Sequence, residues 1–159
     1  MSKLIYKTGD LFKSAIKNKL IVHVANHIGA MGGFAGALDQ RFGLECADYK
    51  VECNRIKNFY SRTFFTPINK GNTVFKNSHI AHMICQHQMH GPSERNIKYP
   101  NLVKCMEEVV DYYHENALTG GIICPKFGSF LGGCNWDFIE ELINDIWLDN
   151  NINVTVFTL

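Results

Sequence analysis

The feature that most constrains this chain is residues 20–38, LIVHVANHIGAMGGFAGAL, where an apolar strand passes through a glycine-rich loop into a helix. Residues 20–25 are almost wholly apolar, which is typical of a buried strand, and a helix begins around Ala35. Glycines let the backbone approach an anion closely, and a helix start adds a favourable dipole. The stretch predicts a phosphate-binding loop. The alternative is a tight strand-to-helix turn whose glycines serve steric needs alone.

Length and composition indicate an ordinary globular protein. The 159 residues suit one domain, 1–159, with one sizeable core, and 46% hydrophobic residues exclude a disordered chain. The net charge of +1, from 16 basic and 15 acidic residues, gives no general attraction to nucleic acid or membranes. No apolar run is long enough to span a membrane, and the first ten residues do not form a signal peptide. We therefore expect a soluble, cytoplasmic protein.

The six cysteines indicate a reducing compartment rather than a disulfide framework. They form no C-x-x-C pair, and several fall inside predicted strands or helices. Cysteine in such places usually behaves as a small apolar residue. We expect reduced thiols.

The hydrophobic pattern alternates strands with helices. Strands are predicted at residues 4–7, 20–26, 64–67, 72–75, 79–85, 122–124 and 153–159, and helices at 35–42, 44–54, 99–116 and 135–147. The strands at 64–67 and 72–75 form a probable hairpin, and Asn135 is a suitable N-cap with Asp137 in the first helical turn. This order predicts a three-layer α/β sandwich with a central mixed sheet.

A second glycine-rich loop, residues 125–134, also follows a predicted strand directly. Ligands of such sheets lie beyond the carboxyl ends of the strands. Both loops could therefore face one crevice, and two such loops are better support for a ligand site than one.

Three polar residues near these loops could carry chemistry. Asp10 either caps the turn after the first strand or presents a carboxylate to a ligand. Asn26 either forms a turn or holds a sugar hydroxyl through its amide. His23 is either a buried core residue or a proton carrier beside the loop.

These segments resemble the ligand-binding motifs of macrodomains. Residues 23–26, HVAN, and 32–38, GGFAGAL, are similar to the family's Asn-Ala-Ala-Asn tetrad, glycine run and helix start. Residues 9–12, GDLF, match its Gly-Asp-Leu motif, in which the aspartate contacts the adenine amino group. Residues 125–133 resemble its second loop, which wraps the diphosphate and distal ribose. The spacing is not G-x-G-x-x-G, which argues against a standard dinucleotide-binding fold.

The resemblance implies a macrodomain-like sandwich that binds ADP-ribose without a cofactor. Asn26 aligns with the tetrad residue that contacts the distal ribose. The ligand-binding residues that it implies are Gly9, Asp10, Leu11, Gly29, Met31, Gly32, Gly33, Phe34, Lys126, Gly128, Ser129, Phe130, Leu131 and Phe157.

Two branches of the family are similar over much of the chain. Fungal-type ADP-ribose 1''-phosphate phosphatases share a histidine before the first loop, an Asp-Tyr-x-x-x-Cys helix (residues 48–53 here) and a late tryptophan-containing helix. Terminal ADP-ribose glycohydrolases share that last helix and the final strand. Their catalytic lysine and aspartate are replaced here by Gln86 and Gly132, and Ala35 stands where some hydrolases place an aspartate. Lysine chemistry is therefore not expected.

Three functions follow from the resemblance. The first is a phosphatase that acts on ADP-ribose 1''-phosphate, with Asn26 and His23 as catalytic residues. The alternatives are an ADP-ribosyl hydrolase acting on modified protein and a non-catalytic ADP-ribose-binding module. The expected partners are ADP-ribose, its 1''-phosphate or an ADP-ribosylated protein, with no membrane and no obligate nucleic acid. A metal site in residues 85–90, CQHQMH, is a weaker interpretation because the spacing matches no defined motif.

Overall fold

The structure is a computed structural model that describes residues 1–13, 17–26, 33–41, 62–68, 77–86, 95–129 and 133–158. The predicted helix at 44–54, the strand at 72–75 and the motif at 48–53 lie outside these ranges.

The described strands form one six-stranded mixed sheet. They are β1 (Leu4–Thr8), β2 (Leu20–Asn26), β3 (Arg62–Pro67), β4 (His79–Gln86), β5 (Ile122–Pro125) and β6 (Val154–Thr158). Their order across the sheet is β1-β6-β5-β2-β4-β3. Every pairing is parallel except that of β3 with β4. The predicted mixed sheet is confirmed, and the first five strands in this order end at one edge, called here the C-terminal edge.

Three helices of the described ranges flank the sheet. They are α1 (Gly33–Arg41), α2 (Tyr99–Glu115) and α3 (Trp136–Leu142), and a short 3-10 helix, Leu11–Lys13, follows β1. Asn135 caps α3 as predicted, since its side chain accepts a hydrogen bond from the Asp137 N–H at 2.9 Å. Each helix therefore begins soon after a strand or loop of the C-terminal edge.

Among the described residues, buried side chains form two cores, one on each face of the sheet. Helices α2 and α3 cover the larger core, in which Leu102, Ile139 and Trp147 are fully buried. The 3-10 helix and α1 cover the smaller one through Leu11 and Leu38. Because both faces of the central strands are covered, the eight residues of β4 are all buried. This arrangement confirms the three-layer sandwich.

The end of α3 differs from the prediction. The α-helical hydrogen bonding stops at Leu142, a π-helical turn follows over Ile143–Trp147, and a 3-10 turn over Leu148–Asn150. The buried Trp147 donates its indole N–H to the Met106 carbonyl at 3.0 Å, which fixes this wider turn against α2. Phe138, predicted on the inner face, is 39% exposed and packs edge-on against Tyr99 instead.

Two further observations concern the described residues. None of their helices combines the length and the apolar character needed to cross a membrane. Cys85, Cys105, Cys124 and Cys134 are buried free thiols.

Candidate functional site

The candidate site is the C-terminal edge of the sheet. Strands β1, β2, β5 and β6 are parallel and end at this edge. The segment after β1 and both glycine-rich loops therefore leave the sheet here, beside the end of β6. β2 lies between β5 and β4, near the centre of the sheet. The chain therefore brings the two predicted loops to one side of the molecule.

The turn after β1 is held firmly in place. The Gly9 N–H donates to the Thr158 carbonyl at 2.8 Å, which ties the turn to the end of β6. Asp10 Oδ1 accepts a hydrogen bond from the Phe12 N–H at 2.9 Å and so caps the 3-10 helix. The Asp10 side chain is exposed at the edge. The capping role considered from sequence is thus real, and the carboxylate still faces solvent.

Aromatic side chains pack between this turn and the smaller core. Phe12 and Phe34 stack with ring centroids 5.6 Å apart and planes at 14°. Phe12, Phe34 and Phe157 are partly buried against the smaller core, whereas Leu11 is only 3% exposed within it. A ligand would therefore meet the aromatic rings or the Leu11 backbone rather than the Leu11 side chain.

Helix α1 presents its first turn at the same edge. Gly33 has φ of +52°, a left-handed conformation that glycine adopts without strain, and it is exposed. The unpaired N–H groups of a first helical turn attract anions. The Arg41 guanidinium, at the other end of α1, lies 5.9 Å from the Phe12 ring centroid. The predicted residues Gly29, Met31 and Gly32 lie outside the described ranges.

The second loop is anchored by its own first residues. Phe127 is 3% exposed and packs edge-on against Trp136 at 5.7 Å. Ser129 Oγ donates to the Lys126 carbonyl at 2.9 Å, and the exposed Lys126 ammonium lies 5.9 Å from the Trp136 ring centroid. The positively charged side chain of Lys126 therefore lies at the start of this loop. Phe130 and Leu131 fall outside the described residues.

Gly128 is required by the packing of this loop. Its φ is +76°, and a Cβ there would lie 3.3 Å from Ile139 Cδ1 and 3.4 Å from Ile97 Cδ1. The Gly128 carbonyl accepts a hydrogen bond from the Cys134 N–H at 2.9 Å, which closes the loop. The glycine thus serves the fold as well as any ligand.

Asn26 lies at the end of β2, where the strand pairing becomes irregular. Ala25 pairs with Ile84, but Asn26 pairs with Gln86, so one residue of β4 is left over. Such bulges redirect side chains and are common beside functional sites. Asn26 is half-buried, at the position predicted for a ribose contact.

His23 is a buried residue of β2 rather than a surface residue of the edge. It is 1% exposed, and its Nε2 lies 2.7 Å from His82 Nδ1 on β4. Burial lowers the pKa of His23 to about 3, and burial together with nearby His23 lowers the pKa of His82 well below its usual range. Both rings are therefore neutral at neutral pH.

The described residues offer no group of three His, Cys, Asp or Glu side chains placed to bind a metal. Cys85 is fully buried in the larger core, where burial and the neighbouring Cys105 thiol raise its pKa. A protonated, buried thiol is a poor metal ligand. Residues 87–90 lie outside the described ranges.

Sequence reasoning missed two members of this region. His82 faces His23 only because their strands pair in parallel, 59 residues apart in the chain. Phe12 was quoted within the GDLF motif but was not assigned a role. An aromatic residue two positions after a predicted ligand aspartate is the signal that could have identified it.

One relative emerges from comparison with curated proteins. It is an uncharacterized 17.5 kDa protein of Enterobacteria phage T4, 25% identical over 142 residues, which cover 87% of this chain and 86% of the phage protein. No protein-family model matches the chain.

Solved structures are more informative. A protein of unknown function from Bacteroides thetaiotaomicron superposes with a TM-score of 0.85 at 24% identity, covering 99% of both chains. A macrodomain protein from Streptomyces coelicolor superposes with a TM-score of 0.78 at 25% identity, again covering 99% of both. The chain has the macrodomain fold. The similarity extends to the whole macrodomain, because almost no residue of either chain is left out.

A third structure with this macrodomain fold contains a ligand. Thermosipho africanus DarTG in complex with ADP-ribose superposes with a TM-score of 0.74 at 14% identity, covering 96% of this chain and 41% of that one. At this identity the likeness concerns the fold.

Proposed function

We propose that this protein binds ADP-ribose at the C-terminal edge of its sheet and removes the phosphate from ADP-ribose 1''-phosphate. The observation that carries the proposal is the convergence of the Asp10 turn, the start of α1 and the second loop on one edge of a macrodomain fold. The macrodomain structure that contains ADP-ribose supports the choice of ligand.

Each part of the ligand has a chemically suitable counterpart at this edge. The exposed carboxylate of Asp10 can accept a hydrogen bond from the adenine amino group. The first turn of α1 and the backbone around Gly128 offer N–H groups to the diphosphate, and Lys126 adds a nearby positive charge. Asn26, at the irregular pairing of β2 with β4, has an amide that can hold a hydroxyl of the distal ribose.

The binding proposal is tested by isothermal titration calorimetry with ADP-ribose on two variants of Asp10. Asp10→Asn keeps an Oδ1 that can accept from the Phe12 N–H, so the cap survives, but it turns an amide toward the adenine amine. We expect its unfolding free energy to change little and its ADP-ribose binding to weaken by about 1.5–3 kcal/mol, the range for a hydrogen bond to a charged group.

Asp10→Ala is the matched comparison because it removes both the cap and the ligand contact. It should lose about 0.5–2 kcal/mol of stability in addition, together with the preference for adenine over hypoxanthine in the ligand. Unchanged affinity in Asp10→Asn would show that Asp10 is only a cap. The absence of any binding heat by the wild-type protein at millimolar ADP-ribose would contradict the proposal itself.

The reaction is tested by phosphate release from ADP-ribose 1''-phosphate. Cleavage needs a positioned water, neutralised phosphate charge and a proton for the leaving oxygen. We expect slow turnover that chelators do not affect. Asn26→Ala should lower it, and His23→Ala should lower it by about 10²–10⁴-fold if His23 supplies the proton.

A second candidate function is supported by the burial of His23. A neutral ring held by His82 and 1% exposed is poorly suited to protonate a leaving group. A non-catalytic ADP-ribose-binding module would need no such proton. Wild-type protein that binds ADP-ribose but releases neither phosphate from the 1''-phosphate nor ADP-ribose from modified protein would select this function over both hydrolase functions.

A further inference from the structure

A chain of three buried polar side chains crosses the sheet beneath α1. His23 Nε2 lies 2.7 Å from His82 Nδ1, and His82 Nε2 lies 3.3 Å from Thr66 Oγ1. The three residues sit on β2, β4 and β3, and none is more than 4% exposed. The parallel register of β2 with β4 places the two rings side by side, with centroids 4.8 Å apart.

This chain is built for two neutral rings. Only one of the two facing ring nitrogens can carry a proton, because two N–H groups at this distance would repel. His23 Nδ1, at the other end, has no hydrogen-bond partner among the described residues. An added proton would therefore place a charge on a buried ring, which is strongly unfavourable.

The chain is connected to the candidate ligand site by direct contacts. The His23 ring lies 5.8 Å from the ring of Phe34, the second residue of α1. Phe34 stacks on Phe12, whose N–H donates to Asp10. A disturbance at His23 thus reaches the start of α1 and the Asp10 turn through three contacts.

In the sequence of the described elements on this face of the sheet, the charged residues are Arg62 on β3, Asp39 and Arg41 on α1, and Asp10 and Lys13 around the 3-10 helix. Within the described part of the chain, the one charged-group effect on His82 comes from His23, and His23 is affected by its burial and by the backbone of Val24. A proton on either ring is thus opposed by burial, and protons on both rings by the repulsion between two nitrogens 2.7 Å apart.

We propose that the Thr66–His82–His23 chain makes ligand binding acid-sensitive, because it supports the start of α1 and the Asp10 turn only while both rings are neutral. Opening this corner of the fold exposes the rings to water, where they bind protons near their ordinary pKa of 6.5. Acid therefore favours the opened form, which cannot bind the ligand. This inference rests on the proposed ADP-ribose site.

The first test measures ADP-ribose affinity at pH 7.5 and pH 5.5 by calorimetry. We expect the wild-type protein to lose at least about threefold in affinity between the two, up to about tenfold for each ring that takes up a proton over the unit below pH 6.5. His23→Leu/His82→Leu should show a smaller ratio, since it cannot take up these protons. His114→Gln, a change of an exposed histidine on α2, should keep the wild-type ratio. Equal ratios in the wild type and the double variant would overturn the inference.

The second test needs neither ligand nor variant. Nitrogen-15 NMR of the imidazoles, with amide hydrogen exchange corrected for intrinsic rates, follows the free protein over the same pH range. We expect both rings to stay neutral in the folded form and the α1 amides to open more readily at pH 5.5. Unchanged protection of α1, or rings that titrate near pH 6.5 without any opening, would overturn the inference. If the α1 amides open more readily at pH 5.5 but the protein does not bind ADP-ribose at either pH, only the proposed function is contradicted.

Discussion

The two neutral histidines predict that the whole protein loses stability as the pH falls below neutrality. In the unfolded chain each ring titrates near 6.5, whereas in the folded protein burial lowers the pKa of His23 to about 3 and that of His82 in the same direction. The unfolded state therefore binds more protons than the folded state, and stability rises with pH. The stabilisation is complete above about pH 6.5 and is lost as the pH falls toward 3.

The size of the effect follows from the shift of His23 alone. Between pH 7 and pH 5 this ring should lower the unfolding free energy by about 2 kcal/mol, and His82 adds to it with the same sign. For a domain of this size that corresponds to a fall of about 4–8 °C in melting temperature. A loss of this size is a large part of the stability of a typical domain.

Urea unfolding followed by tryptophan fluorescence at pH 7, 6 and 5 measures this loss, since Trp147 is fully buried and reports on the core. Measurements go no lower than pH 5 because the Glu108 carboxyl, whose pKa is raised by burial, contributes with the opposite sign in acid. Burial also lowers the pKa of His79. Because His79 remains in every variant, its contribution to the pH dependence of stability is the same in all of them.

The decisive comparison is His23→Leu/His82→Leu, which removes both rings at similar volume. Its unfolding free energy should depend less on pH than that of the wild type by about 2 kcal/mol or more over this window. His114→Gln, at an exposed site, should follow the wild type. If the double variant and the wild type lose stability in parallel, the rings do not stay neutral in the folded protein and the reasoning fails.

Two further predictions concern the supports of the second loop, both measured by urea unfolding. Trp147→Phe should cost about 2–3 kcal/mol because it opens a gap and removes the indole hydrogen bond to the Met106 carbonyl, whereas Trp136→Phe, at a partly exposed indole, should cost less than about 1 kcal/mol; equal costs would contradict the role of Trp147 in the core. Gly128→Ala should lose more stability than Gly33→Ala. Both residues have a positive φ, which costs an alanine about 1–2 kcal/mol, but of the two only Gly128 also lacks space for a Cβ.

Local patterns in the sequence predict much of this fold. The apolar runs predicted all six described strands to within about two residues at each end, and Asn135 marked the start of α3 because its cap depends on a neighbour two residues away. The glycine-rich loops were found by the same local logic. Their arrangement at one edge followed from parallel pairing.

What the sequence could not give depends on contacts between distant segments. The pairing of β3 with β4 and the contact of His23 with His82 require a register set by the whole sheet. The change from α-helical to π-helical turns after Leu142 accompanies the contact of Trp147 with Met106, 41 residues away, so the helical period, which predicted a helix to about residue 147, could not show this change. The proposed roles of the ligand-loop residues and of Asn26 remain predictions.

Asp10 shows why a structural role and a binding role need not be alternatives. A carboxylate has two oxygens, and the cap on the Phe12 N–H engages only Oδ1. The cap fixes the direction of the group, which removes part of the entropy that a free side chain would lose when it binds adenine. The hydrogen bond between the Gly9 N–H and the Thr158 carbonyl fixes this turn to the end of the sheet. The same contacts that stabilise the 3-10 helix therefore hold the carboxylate ready for a ligand, and Asp10→Asn separates the two roles because it changes only the second.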